Sequence, residues 1–134
     1  VITSMDWFKT LCRAAGISNV EEYSDKIRGR DMTDLLCGRT NNWDDNLFAQ
    51  YRFWDWHQTG ASLRTYRTPE WKLVCDLRKT VGDELYYLVE DPAERHNLIN
   101  VDESNIKKQI VILHKAMVKK MKEINDPDLK LLKN

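Results

Sequence analysis

Three cysteines, three histidines and one pair of adjacent aspartates are the residues of this 134-residue chain that could assemble a metal centre or an activated nucleophile. Cys12, Cys37 and Cys75 lack metal-type spacing and are odd in number, so they form no zinc framework and cannot all pair. They suit a core as small apolar residues and leave the redox compartment open. The histidines offer no H-x-x-x-H, and no glycine-rich phosphate loop is present. Asp44-Asp45 reads as a solvated turn. The other chemistry is aromatic: Trp43, Trp54, Trp56 and Trp71 could give a strip of indoles for sugar rings. On residues alone, a stand-alone carbohydrate-binding or interaction module and a small enzyme with an unfamiliar site both remain, and the histidine pattern counts against the enzyme.

Composition narrows this further. A hydrophobic content of 42% with five Trp supports a core rather than a disordered tail. Lys+Arg 21 balances Asp+Glu 21, which argues against a dedicated nucleic-acid binder. Residues 101–134 carry +3 and the remainder −3. No apolar run approaches a membrane span. Asp6, Lys9 and Arg13 interrupt any signal-peptide layout, and because the sequence begins at Val1 rather than Met, the missing layout says little.

The elements that position these residues follow from periodicity. Thr3-x-x-Asp6 opens a helix over 4–15 with Trp7, Phe8, Leu11, Cys12 and Ala15 at helical spacing, and Gly16 stops it. Residues 18–31 read as a loop, and Met32 to Cys37 as one helical turn ended by Gly38. Leu47 to Trp54 is a strand with Leu47, Ala49, Tyr51 and Phe53 on one face. Ser62 to Thr68 is a second strand, with Pro69 tolerated at its end. Trp71, Leu73, Cys75 and Leu77 alternate with Lys72, Val74, Asp76 and Arg78, and Glu84 to Val89 follows after a Gly82-Asp83 turn, which predicts an antiparallel hairpin. Asp91-Pro92-Ala93-Glu94 predicts a capped helical turn, with Asn97 at its end. Ile106, Ile110, Leu113, Met117, Met121 and Ile124 form one stripe of a long helix that Asp126-Pro127 terminates. The expected fold is α+β: a four-stranded antiparallel sheet packed against a long C-terminal helix, with an additional N-terminal helix. Leu129 to Asn134 is either a frayed end or a docking strip.

Two phrases carry a family resemblance. Arg67, Thr68, Pro69, Trp71, Lys72 and Leu73 read R-T-P-x-W-K-L. Glu84, Leu85, Tyr86, Leu88, Asp91, Pro92, Glu94, Asn97 and Leu98 read E-L-Y-x-L-x-x-D-P-x-E-x-x-N-L. Together they resemble the C-terminal part of type I, formylglycine-dependent sulfatases; the family usually has Asp after the Tyr, where this chain has Tyr87. Asp6, Thr10, Leu11, Ala15, Gly16 and Ile17 resemble the helix closing the catalytic domain of that family, with Lys9 in place of its usual Pro. Gly29, Asp31, Leu35, Leu36 and Gly38 resemble its D-G-x-S/D-L-x-x-L-L-x-G segment. The resemblance divides the chain into residues 1–40, similar to the end of a catalytic domain, and 41–134, similar to the C-terminal subdomain.

That resemblance sets the functional expectations. The parent would be a sulfuric ester hydrolase whose formylglycine arises in C/S-x-P/A-x-R. No such motif is found here: Cys12 is followed by Ala14 but has Gly16 where Arg is needed, and Ser24 has Arg28 but Lys26 in place of Pro or Ala. Calcium and formylglycine are expected in the missing N-terminal domain, and no cofactor in this chain. The implied partner is that catalytic domain, part of the same parent chain, on which this chain would pack. With that domain absent, Trp7 and Phe8 are expected to promote self-association. Because sulfated substrates are anionic, His57, Arg64 and Arg67 are the candidates for one wall of the substrate pocket, with Trp56 as an apolar platform. The alternatives are an ordinary surface role for His57 and a pair between Arg67 and Glu84. The lysines of the long helix read as a solvated face. The family suggests a periplasmic or extracellular setting; the substrate stays open.

Overall fold

The computed structural model describes residues 1–17, 19–23, 27–54 and 60–133. The chain divides into two units, Val1–Asp45 and Asn46–Asn134.

The first unit is built on α1, Asp6–Ala14, a short 3-10 turn at Val20–Tyr23 within the expected loop, and α2, Thr33–Leu36. The capping box before α1 forms by half. The Asp6 carboxylate accepts the Thr3 N–H at 2.8 Å and the Thr3 hydroxyl at 3.0 Å, so Thr3 donates instead of capping. At the other end Gly16, at φ +76, lets Ile17 N–H reach the Cys12 carbonyl at 3.0 Å and Gly16 N–H the Arg13 carbonyl at 3.1 Å. This 6→1 and 5→2 pair is a Schellman stop.

Asp6 and Thr10 are buried, and they hold the segment after residue 28 against α1. Arg30 N–H donates to Asp6 Oδ1 at 2.7 Å and Met32 N–H to Thr10 Oγ1 at 2.9 Å. Immediately before them Gly29 sits at φ +104, where a Cβ would lie 2.1 Å from the Met5 carbonyl oxygen. Only glycine fits this close approach. Ahead of α2 the Asp31 Oδ1 accepts the Thr33 N–H at 2.8 Å, a local turn that leads into the helix.

The second unit is an antiparallel meander, β1 Leu47–Arg52, β2 Ser62–Arg67, β3 Trp71–Asp76 and β4 Glu84–Tyr87, in that order. The long helix α3, Ser104–Glu123, packs on β2 and β3. The α+β expectation therefore holds. Leu113, Met117 and Met121 of the stripe are fully covered, and they meet Tyr66, Leu73, Cys75, Leu77 and Leu85. Each fully buried Leu or Met contributes about 1.5–3 kcal/mol.

α3 also ends in a Schellman stop, with Asn125 at φ +52 in the left-handed position. Asp126 N–H reaches the Met121 carbonyl at 2.9 Å and Asn125 N–H the Lys122 carbonyl at 3.1 Å. The last residues form a 3-10 helix, Pro127–Lys133, and Leu129, Leu131 and Leu132 pack on the core. Of the two readings of the tail, the docking strip is the observed one.

Two sequence expectations are corrected. In β1 the core-facing residue is Phe48, not the Leu47, Ala49, Tyr51 face. Phe48, Gln50 and Arg52 register with Tyr66, Arg64 and Ser62 of β2, so the helix-covered face is partly polar and apolar alternation points the wrong way. The D-P-x-E segment makes no helix. Glu94 adopts φ +55 and its N–H closes a turn onto the Asp91 carbonyl at 3.1 Å. Asp91 Oδ2 accepts His96 N–H at 2.8 Å, so the carboxylate organises a turn rather than capping a helix.

Candidate functional site

The two motif phrases meet in space. Lys72 of the first pairs with Glu94 of the second. Asn97 lies along the edge of β4: its Oδ1 accepts the N–H of Leu85 and of Ile99, each at 3.0 Å, and its Nδ2 donates to the Asp83 carbonyl at 3.3 Å. Leu98 N–H then bonds the Leu85 carbonyl at 2.8 Å. The spacing from Asp91 to Leu98 thus serves to close a sheet edge, which accounts for the motif without assigning it any reactive role.

Arg64 lies on the helix-covered face and has no exposed surface. Its Nε and Nη2 grip Asp126 at 2.5 and 2.8 Å, Nη2 also reaches Asp128 at 3.1 Å, and Nη1 donates to Ser62 Oγ at 3.1 Å and the Leu63 carbonyl at 2.9 Å. Gln50 adds a bond to Asp126 and Arg52 one to Asp128, each at 2.8 Å. Every guanidinium donor of Arg64 is engaged within the unit, so the structure moves it from the anion-facing wall to an internal brace. The Arg64 bonds hold the Asp126 carboxyl below its ordinary value against the opposing effect of burial. For Asp128, burial pushes up, but Ser62 and the two arginines prevail and the value is lowered.

Arg67 sits on the opposite sheet face, opposite Leu47 and Lys72 in register. It is half-buried, and its Nε has no hydrogen-bond partner among the described residues. Glu84 is not its partner: Glu84 accepts from the Tyr86 hydroxyl at 3.2 Å. An inaccessible guanidinium N–H without an acceptor is uncommon in folded proteins. Trp56 and His57 lie outside the described residues.

The remaining candidates have local roles. Cys75 is buried, and burial raises its thiol to about 12, which keeps it unreactive. The described cysteines form no disulfide. Asp44 offers its carbonyl to Arg30 at 2.5 Å. The aromatic residues divide: Trp43 lies under the Arg30 guanidinium at 3.9 Å, Trp54 under Arg78 at 4.2 Å, and Trp71 stacks with Tyr87 at 4.6 Å. Among the described residues no group of three or more His, Cys, Asp or Glu is placed to hold a metal ion. No helix among them is long and apolar enough to cross a membrane.

Sequence reasoning missed two structural groups. One is the Arg64, Asp126 and Asp128 brace. The other is Asp76, fully buried, whose carboxylate gathers the N–H groups of Arg78, Thr80 and Val81 and shapes the β3–β4 connection. Asp83 returns the favour by accepting Asp76 N–H at 2.8 Å. The two acids seven residues apart around a glycine were the available signal.

The chain matches the family model of the N-sulphoglucosamine sulphohydrolase C-terminal domain over residues 1–125. Its fold is similar to BT4656, solved in complex with its substrate D-glucosamine-2-N,6-O-disulfate, at TM-score 0.68 and 21% identity, covering 92% of this chain and 25% of that one. It is also similar to yidJ from Bacteroides fragilis, a provisionally assigned sulfatase, at TM-score 0.66 and 20% identity, covering 94% of this chain and 26% of that one. At these identities the likeness shows the fold. The chain spans about a quarter of the length of these structures. No curated protein sequence matches significantly.

Proposed function

The chain belongs to the N-sulphoglucosamine sulphohydrolase C-terminal domain family, and from that premise we propose that it is the non-catalytic accessory end of a sulfuric ester hydrolase. The family match over residues 1–125 carries the reading. The absence of C/S-x-P/A-x-R from the sequence supports it. In this reading residues 1–40 complete the catalytic domain, residues 41–134 form the accessory subdomain, and formylglycine and calcium are supplied by the preceding part of the parent.

The domain packs on that catalytic part. Ile2, Met5, Trp7, Phe8, Leu11 and Ile17 of the first unit are exposed, which is an unusual amount of large apolar surface for one short helix and its flanks. The catalytic domain of the same parent is the covering surface we assign to them. Arg67, half-buried on the sheet face away from α3, and His57 and Trp56 are assigned to one wall of the substrate pocket, where a guanidinium favours a sulfate oxyanion. Arg64 braces that subdomain from within.

Truncating the parent polypeptide after Asp45 tests the accessory role. Loss of soluble, active enzyme is expected; full sulfate release by the truncated form would overturn it. Arg67→Ala in the parent tests the wall. An increase in KM of about tenfold, worth about 1.4 kcal/mol, is expected, and an unchanged KM removes Arg67 from it.

A further inference from the structure

A hollow of about 380 Å³ opens at the edge of the sheet in the second unit, on the side where α3 begins. Its described lining includes Trp71 and Tyr87, with rings 4.6 Å apart at 38°, and three carboxylates: Glu90, Asp91 and Glu103. Leucine, valine and isoleucine side chains complete the wall, and His96 lies 3.7 Å from Asp91. No lysine or arginine is among the described lining residues. Arg95, adjacent in sequence, acts on Asp91 without joining the lining.

The charge balance selects the ligand class. The start of α3 contributes about +0.5 of partial charge at the hollow. Three formal negative charges outweigh that, so a sulfated or phosphorylated group is disfavoured here. Asp91 stays ionised, because the N–H groups of Arg95 and His96 lower its carboxyl below the ordinary range. Aromatic rings beside carboxylates attract a cation whose charge is spread over apolar substituents. The rings strengthen that attraction, more so when the cation is desolvated. A neutral sugar gains stacking but nothing from the charge, and a bare metal ion gains nothing from the apolar wall.

We propose that the hollow bounded by Trp71, Tyr87, Glu90, Asp91 and Glu103 is a binding site for a small organic cation, an alkylated ammonium group. It is separate from the substrate wall assigned to Arg67, which favours anions. Its presence does not depend on the sulfatase reading.

Tetramethylammonium chloride titrated into the 134-residue chain, followed by nuclear magnetic resonance, tests the site. Saturable shifts of the Trp71 indole and His96 amide signals are expected, with none from glucose or from sodium chloride at matched ionic strength. Glu90→Gln with Glu103→Gln alters two exposed side chains and should weaken binding about fivefold. Trp71→Phe, which keeps a ring against the core, should retain binding. Overturning results would be no saturable shift, an equal response to glucose, or an affinity indifferent to loss of both carboxylates.

Discussion

Arg64 and Asp126, separated by 62 residues, form a two-point contact at 2.5 and 2.8 Å beneath the end of α3. Their side chains are 1% and 0% exposed. The pair ties the residue that follows the α3 stop to the second strand, so it fixes where the helix ends relative to the sheet. A buried pair of this kind is weak evidence of net stabilisation, but removing one partner leaves an uncompensated charge.

Arg64→Ala should therefore lower unfolding free energy by about 3–5 kcal/mol, because Asp126 and Asp128 would then face each other without their shared cation. Arg67→Ala, on the other face, should cost under about 1 kcal/mol. Urea unfolding of the two variants checks the contrast, and equal losses would contradict the brace.

Acid should act through the same carboxylates. Asp6, Asp126 and Asp128 are held below the ordinary value, and Asp31 is lowered to about 2, where the Thr33 and Arg13 bonds overcome burial. A lowered folded value means the contribution is complete above the unfolded value of about 4 and is lost as pH falls through the folded ones. The urea midpoint should stay level near neutrality and drop below about pH 4. Asp126→Asn should be less stable at neutral pH and show a shallower acid decline; an unchanged acid slope would point to other groups.

Gly29→Ala places a methyl 2.1 Å from the Met5 carbonyl in a backbone conformation unfavourable to alanine. A loss of about 1–3 kcal/mol is expected. Gly38→Ala, at φ +67 with open space around it, carries only the backbone penalty and should cost less. Thermal unfolding of both separates contact from conformation.

The isolated chain should self-associate through its first unit, where Trp7 is 47% and Phe8 52% exposed. Trp7→Ser with Phe8→Ser should shift sedimentation toward monomer without altering the second unit. A wild-type chain that remains monomeric at high concentration would remove this expectation.

Much of the fold was legible in the sequence because regular burial leaves regular patterns. The alternation of Leu73, Cys75 and Leu77 located β3, and the stripe from Ile106 to Ile124 gave α3 its buried side. β1 was misread because its covered face holds Gln50 and Arg52, which answer Asp126 and Asp128 across a long stretch of chain. No local pattern announces a partner 76 residues away. Likewise Asp91-Pro92 looks like a helix start, but the left-handed Glu94 and its pair with Lys72 draw the segment into a turn. Arg64 and Arg67 were equivalent as cations in the sequence; strand register placed them on opposite faces.

Sulfate release from a chromogenic sulfate ester, measured side by side for the 134-residue chain and for the longer polypeptide proposed as its parent, tests the account most directly. The account predicts turnover by the longer polypeptide and none by the chain alone. Turnover by the chain alone, or none by a folded, formylglycine-bearing parent on any sulfate ester, would contradict it.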